Sequence, residues 1–212
     1  MPRKLLRVLG LHDAHDAGVV LLEDGSIVYA AREERFSRTK LHWGFPHLSL
    51  QNLLAVTGVS PEDVDVVAVS GQAKFERDEA SAFTFDDGAM HQYKRWGQRA
   101  SRILGPVADT EAFGRVVKGI GMLARNRSAV REQLRAYGIS APVEFYDHHA
   151  CHAASAYFTA DTDPALVITS DTSGDGMSST VSIGRDGRLT RAVATPIIHS
   201  AGRFWDVITI LC

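Results

Sequence analysis

The feature that most constrains the fold is a pattern of three short apolar runs that occurs twice in the chain. The runs of the first copy are 5–11, 18–22 and 27–31. Those of the second copy are 166–170, 179–183 and 189–194. Short apolar runs bounded by Asp-Gly turns are typical of strands joined by hairpins. The sequence therefore predicts two three-stranded meanders.

The two copies also keep the same spacing between an acidic residue and a turn glycine. Gly25 follows Asp13 by twelve positions, and Gly187 follows Asp175 by twelve. Each acidic residue is predicted to lie in the loop between the first two strands, where backbone N–H groups and carboxylates suit a nucleotide phosphate and its metal. This duplication predicts two related lobes that face each other across a cleft.

The segments outside the meanders indicate an α/β fold. The predicted elements are helices over 48–56, 147–157 and 204–211 and strands over 64–70 and 143–146. Residues 72–138 have an apolar spacing that favours helices, so we expect a helical insertion there. We expect a first lobe over 1–160 and the start of a second over 161–212, which leaves the second lobe incomplete in this sequence.

Composition excludes several classes of function. The 212 residues include 23 basic and 25 acidic side chains, so a net charge of −2 offers no general attraction for nucleic acid or an anionic membrane. No window approaches the roughly eighteen apolar residues of a membrane span. Two cysteines cannot build a disulfide framework, and we expect no secretory segment. We therefore expect a soluble, cytoplasmic protein.

The segment after residues 143–146 carries histidines at helical spacing. His148 and His152 are four positions apart, so on a helix their imidazoles lie on one face and can share a metal ion. His149 points elsewhere. Asp171 ends the next predicted strand, where its carboxylate could complete a three-ligand set with an open position for a substrate oxygen. Buried or surface histidines are the alternative, against which Asp171 favours the metal site.

The loop His12-Asp13-Ala14-His15-Asp16 combines imidazoles with carboxylates. His15 could be a general base with a carboxylate partner, or the loop could form a second metal site. In the structural alternative, its Asp residues satisfy their own turn.

Residues 33–40 are dense in charge and predict an ordered loop before the helix at 48–56. Arg35, Arg38 and Lys40 could bind phosphate or stabilise a developing negative charge. The alternative is a solvated, salt-bridged face shared with the neighbouring glutamates.

The predicted loop 171–176 contains Ser173-Gly174-Asp175-Gly176. Its backbone could cradle a phosphate, although the segment lacks the lysine of a P-loop. The alternative is a glycine-rich turn of the second meander.

Four segments of the chain, taken in order, resemble one protein family. They are Gly10-Leu11 through His15-Asp16-Ala17, residues 34–40, residues 147–156 and residues 171–176. Together they resemble the O-carbamoyltransferases that modify nodulation factors, cephalosporins, aminoglycosides and ansamycins, a group that includes antibiotic-biosynthesis enzymes. The resemblance spans nearly the whole chain outside 72–138. It implies an actin-like ATPase fold of the ribonuclease-H-like type, similar to the domains of tRNA threonylcarbamoylation.

The resemblance also implies roles for individual residues. His148, His152 and Asp171 look like ligands of a divalent or ferric ion, iron by preference, that contacts the nucleotide. His15 looks like the base near the acceptor hydroxyl, and Lys40 like a contact to the carbamoyl donor. The residues expected to bind the nucleotide are Asp13, Arg38, Ser173, Gly174, Asp175 and Gly176.

The activity implied by the resemblance is transfer of a carbamoyl group from carbamoyladenylate to a hydroxyl of a small-molecule natural product. In such enzymes a C-terminal domain makes the carbamoyladenylate from carbamoyl phosphate and ATP, so the expected partners include that domain or a second chain. Two alternatives are a sugar-kinase-like phosphotransferase, which would not need paired histidines, and a non-catalytic nucleotide- or metal-binding subunit.

Overall fold

The computed structural model describes residues 5–72 and 127–202, which form two compact units. The first comprises residues 5–72 and 127–146, and the second comprises residues 147–202. Most of the predicted insertion at 72–138 and the predicted helix at 204–211 lie outside the described residues. The division into actin-like lobes at residue 160 stays a prediction.

The first unit is built on a five-stranded sheet. Its strands are β1 (Arg7–His12), β2 (Gly18–Glu23), β3 (Ser26–Arg32), β4 (Val66–Ser70) and β5 (Val143–Tyr146). The spatial order is β3-β2-β1-β4-β5. The first three strands form the predicted antiparallel meander, and β4 and β5 extend it in parallel with β1. The C-terminal ends of β1 and β4 therefore lie side by side.

Helices cover one face of this sheet. They are α1 (Glu34–Ser37), α2 (His47–Thr57) and α3 (Arg127–Ala136), with a 3₁₀ turn at Pro61–Asp63. Alternate residues of a strand share one face, and Leu9, Leu11 and Leu21 on that face are buried against Leu50 and Leu53 of α2. The segment 33–40, which we predicted to be a loop, contains one helical turn that ends at Arg38 in a left-handed conformation (φ 58°).

The second unit is a three-stranded sheet with one helix packed against it. The elements are α4 (His148–Phe158), β6 (Ala165–Gly174), β7 (Met177–Arg185) and β8 (Arg188–Pro196), and a 3₁₀ turn follows at Ile197–His199. All three strands are antiparallel, in the order β6-β7-β8. Ala153 and Tyr157 of α4 are buried with Val167. Gly184 makes this contact possible, because a Cβ there would lie 2.5 Å from the Tyr157 ring.

The predicted loop at 171–176 is mostly strand. β6 continues to Gly174 through an irregularity after Ser170, and only Asp175 and Gly176 form the turn, both with positive φ. The loop after β1, by contrast, occupies residues 13–17. The predicted equivalence of Asp13 and Asp175 nevertheless holds locally, because each is buried and directly follows the first strand of its meander.

The α/β fold class is confirmed: two three-stranded meanders with helices occur in the predicted order. Each meander turns from its second to its third strand at an Asp-Gly pair in which both residues have positive φ. Across residues 5–72 and 127–202, the structure has no helix with the length and apolar character that crossing a membrane requires.

Candidate metal centre

Three side chains of the second unit converge as the sequence predicted. The ring atom Nε2 of His148 lies 2.7 Å from Oδ2 of Asp171 and 3.0 Å from Nε2 of His152. The remaining separation, from His152 Nε2 to Asp171 Oδ2, is 3.7 Å. The histidines come from successive turns of α4, whereas Asp171 comes from β6. The spacing of four on a helix therefore places both imidazoles beside one carboxylate oxygen.

The donor set and its geometry fit a metal ion. At metal–ligand distances of about 2.1 Å, ligand atoms at right angles are about 3.0 Å apart, close to the separations found here. Two imidazoles and one carboxylate on one side of an ion leave other positions open, as in non-haem iron sites. Among the described residues, this triad is the cluster of histidine, cysteine and acidic side chains that could hold a metal.

The charges within the triad reinforce one another. The Asp171 carboxylate raises the pKa of His148 above its usual value, although burial of the ring opposes this. Hydrogen bonds from His148 and then His152 hold the pKa of Asp171 well below its usual range. Metal ligands must be deprotonated, so a bound cation would replace the protons of these hydrogen bonds.

The backbone of β6 leaves room for the His148 ring. A Cβ at Gly174 would lie 2.1 Å from Cδ2 of that ring, an impossible contact. We predicted Gly174 as part of a phosphate cradle, a role that stays a prediction. In the structure, its missing side chain is what allows His148 to reach Asp171.

Several further residues fix the triad, and sequence reasoning had not assigned them this role. The Asp175 carboxylate accepts a hydrogen bond of 2.7 Å from the His148 backbone N–H. Asp147 caps α4 by accepting from the Ala150 N–H at 2.9 Å, and its carboxylate also pairs with Arg191. An Asp before a helix signals a cap, but nothing local in the sequence indicates the contacts across the sheet.

His149 turns away from the triad, as predicted. Its side chain is fully buried, and Nδ1 hydrogen-bonds with the Thr169 hydroxyl at 2.8 Å. Burial lowers its pKa, so His149 is neutral near pH 7. This histidine links α4 to β6 and lies outside the triad.

In the first unit, the loop after β1 holds the predicted base. The His15 side chain is 59% exposed, and its Nδ1 lies 3.2 Å from Asp16 Oδ2. Arg32 contacts the other oxygen of Asp16 at 3.2 Å. A left-handed backbone at Asp16 (φ 59°) brings its carboxylate back to the neighbouring ring. The predicted pairing of His15 with a carboxylate is therefore present.

The charged segment 33–40 is divided between surface and interior. Arg35, Arg38 and Lys40 are exposed, and Lys40 Nζ lies 3.6 Å from Glu34 Oε1. Glu33, which we had grouped with a solvated face, is instead buried. Its carboxylate accepts hydrogen bonds from the backbone N–H groups of Leu48 and Ser49 at the start of α2.

The nucleotide-binding candidates differ in their burial. Asp13 and Asp175 are buried, whereas Arg38 is exposed. The other three predicted nucleotide contacts, Ser173, Gly174 and Gly176, lie in or next to the β6–β7 turn. Their assignments, like those of His15 and Lys40, stay predictions.

Comparisons with known proteins identify the family. The family described as Carbamoyltransferase N-terminus matches residues 7–211. Protein sll1178 of Synechocystis is 27% identical over 92% of this chain and 30% of its own length. Nodulation protein NolNO of Sinorhizobium fredii is 27% identical over 89% of this chain and 24% of its own length. The solved structure of YeaZ from Pseudomonas aeruginosa aligns with a TM-score of 0.45 and 15% identity, covering 90% of this chain and 68% of that one.

The chain thus spans less than a third of the length of these two curated relatives. The family match, by contrast, includes every segment on which the predicted resemblance rested, from Gly10 in β1 to the β6–β7 turn. The resemblance predicted from the four segments is confirmed. The chain belongs to the family of carbamoyltransferase N-terminal domains.

Proposed function

We propose that this protein is the N-terminal part of a cytoplasmic, ATP-dependent O-carbamoyltransferase that acts on a hydroxyl of a small-molecule natural product. The observation that carries the proposal is the convergence of His148, His152 and Asp171 in a chain of this family. A sugar-kinase-like phosphotransferase would not need two imidazoles in such an arrangement.

The reaction requires a base for the acceptor. The acceptor oxygen attacks the carbamoyl carbon of carbamoyladenylate and loses its proton, while the bond from that carbon to the phosphate oxygen breaks and AMP leaves. His15 is the proposed base, acting through Nε2, because its Nδ1 faces the Asp16 carboxylate. A neutral imidazole can accept the hydroxyl proton.

The donor requires positive charge at two places. As the carbamoyl carbon becomes tetrahedral, its oxygen gains negative charge, and the Lys40 ammonium is the proposed group that stabilises it. A metal ion held by the triad, iron by preference for this donor set, would supply positive charge at the nucleotide phosphate. Asp13, Arg38 and the β6–β7 turn are the proposed remaining contacts to the nucleotide.

We further propose that carbamoyl phosphate and ATP are the source of the carbamoyladenylate. A separate part of the enzyme, or a second chain, would form it. The basis is the resemblance together with the greater length of the relatives.

The test measures metal content by mass spectrometry and ATP binding by calorimetry on the purified chain, the variants His148→Ala and Asp171→Ala, and a control variant His47→Ala. His47 lies in the first unit, where its ring contacts Tyr137. We expect about one bound metal ion per chain, lost in both triad variants together with most ATP binding and retained in the control. A well-folded chain without metal, or triad variants that keep it, would contradict the proposed centre.

A further inference from the structure

The first unit contains two histidines three positions apart, His12 and His15, which have different hydrogen-bond partners. The rings of His12 and His15 are 6.0 Å apart at nearly right angles. His12 Nδ1 lies 2.5 Å from the Ser70 hydroxyl, and its Nε2 lies 2.9 Å from the His15 carbonyl oxygen. Both ring nitrogens of His12 are therefore engaged within the protein.

The contact with a carbonyl oxygen shows which nitrogen of the His12 ring carries the proton. A carbonyl oxygen only accepts hydrogen bonds, so Nε2 of His12 must carry the proton and donate. In the neutral ring, Nδ1 then accepts from the Ser70 hydroxyl. His12 ends β1 and Ser70 ends the parallel strand β4, so the ring ties two adjacent strand ends to the backbone of His15.

The same loop is held from its other side by residues 42–44. The Ala17 N–H donates to the His42 carbonyl at 3.1 Å, and the Gly44 N–H contacts the Ala14 carbonyl at 3.4 Å. His15 also forms a β-bridge with Trp43, and their rings are 5.9 Å apart. The His15 backbone is thus fixed on both sides, although its imidazole is mostly exposed.

We propose that His12, supported by Ser70, is a positioning residue that holds His15 in the orientation needed to act as the base. This inference rests on the proposed function, in which His15 takes the proton. His12 acts through the His15 carbonyl and does not itself contact the reacting atoms. An imidazole on a restrained backbone with its Nδ1 directed to Asp16 presents Nε2 to an acceptor without further ordering.

Two substitutions distinguish the hydrogen bond of His12 to Ser70 from its hydrogen bond to the His15 carbonyl. In His12→Asn the amide can replace Nδ1 beside Ser70 but is too short to reach the His15 carbonyl. In His12→Gln the longer side chain can donate to that carbonyl in place of Nε2. His47→Asn is the matched control, because its histidine lies in the same unit and contacts Tyr137 instead.

The first readouts are amide hydrogen exchange of Ala17 and Gly44 and the ring tautomer of His15, from nitrogen chemical shifts. In His12→Asn we expect exchange to accelerate about tenfold, as for the loss of one hydrogen bond, and the Nδ1–H tautomer of His15 to lose its predominance. His12→Gln should recover both, and His47→Asn should match the parent protein. If His12→Asn leaves both unchanged, or His12→Gln fails to recover them, the positioning role is wrong.

The kinetic readout is AMP release by the complete enzyme from ATP and carbamoyl phosphate, with water as the acceptor that attacks the carbamoyl carbon. We expect His12→Asn to lower kcat about tenfold or more with an unchanged KM for ATP, and His12→Gln to recover most of it. An unchanged kcat in a variant with a loosened loop would overturn the inference. If the parent protein releases no AMP while the exchange and tautomer results hold, the proposed function fails, and not the hydrogen bonding of His12.

Discussion

Among single residues, Glu33 is a charged side chain that is buried and forms hydrogen bonds inside the protein. Its carboxylate accepts hydrogen bonds from the Leu48 and Ser49 backbone N–H groups at 2.9 and 2.7 Å and from the Ser49 hydroxyl at 2.7 Å. These N–H groups belong to the first turn of α2, where no residue of the helix can accept them. Glu33 therefore caps a helix that begins fourteen positions later in the sequence.

Replacing this carboxylate should destabilise the first unit. Glu33→Gln places an amide NH₂ where an oxygen accepts hydrogen bonds, so we expect the free energy of unfolding to fall by about 2 kcal/mol. Chemical denaturation would measure it. Glu62→Gln, at an exposed site, is the control and should change stability by less than about 0.5 kcal/mol. Equal effects of the two substitutions would show that the buried cap contributes nothing.

Gly174 allows a second test at the residue scale. In Gly174→Ala the new methyl group must displace the His148 ring from Asp171. We expect bound metal to fall at least about tenfold, because one ligand is lost or misplaced, while the circular dichroism spectrum stays that of a folded protein. Ser179→Ala on β7 is the control and should retain metal. Full metal content in Gly174→Ala would contradict the described position of His148.

The sequence predicted the convergence of His148, His152 and Asp171 better than it predicted their surroundings. Helical spacing alone places His148 and His152 together, and an acid at a strand end is a local signal. The buried role of Glu33 could not be predicted, because charge density next to Arg35 indicates a solvated face. Nor does the sequence reveal that Gly174 packs against the His148 ring, where a side chain would not fit.

At the scale of elements, α4 depends on the residue that precedes it, Asp147. Oδ1 of Asp147 accepts from the Ala150 N–H and also pairs with Arg191. We expect Asp147→Ala to lower the free energy of unfolding by about 1 kcal/mol. Asp147→Asn should lower it by much less, because asparagine caps a helix as well as aspartate does. Thermal unfolding would measure both. Equal losses would assign the effect to the Arg191 ion pair instead of the cap.

The strands were predicted where apolar residues are continuous and missed where they are not. Residues 166–170 are recognisable as a strand, whereas Asp171 to Gly174 are polar or lack a side chain and suggested a loop. The partner strand β7 overrides that local preference, since Gly174 pairs with Met177 and leaves a turn of only two residues. The Asp-Gly turns, by contrast, specify their own conformation and were predicted correctly.

At the scale of the whole molecule, the candidate metal centre belongs to one unit. All three ligands lie in residues 147–202. A metal that binds only the folded state adds stability, about 2.7 kcal/mol at a concentration one hundred times its dissociation constant. We expect a chelator to increase amide exchange in α4 and β6 while leaving β1, β2 and β4 protected. Uniform loss of protection in both units would contradict this assignment.

The position of the triad within the chain also has an evolutionary consequence. Its ligands come from one helix and the strand that follows, so insertions or deletions before Asp147 leave the spacing between them unchanged. The three candidate metal ligands can therefore be inherited as one contiguous segment. Lineages of this family could then change the length of the preceding sequence without separating these three side chains.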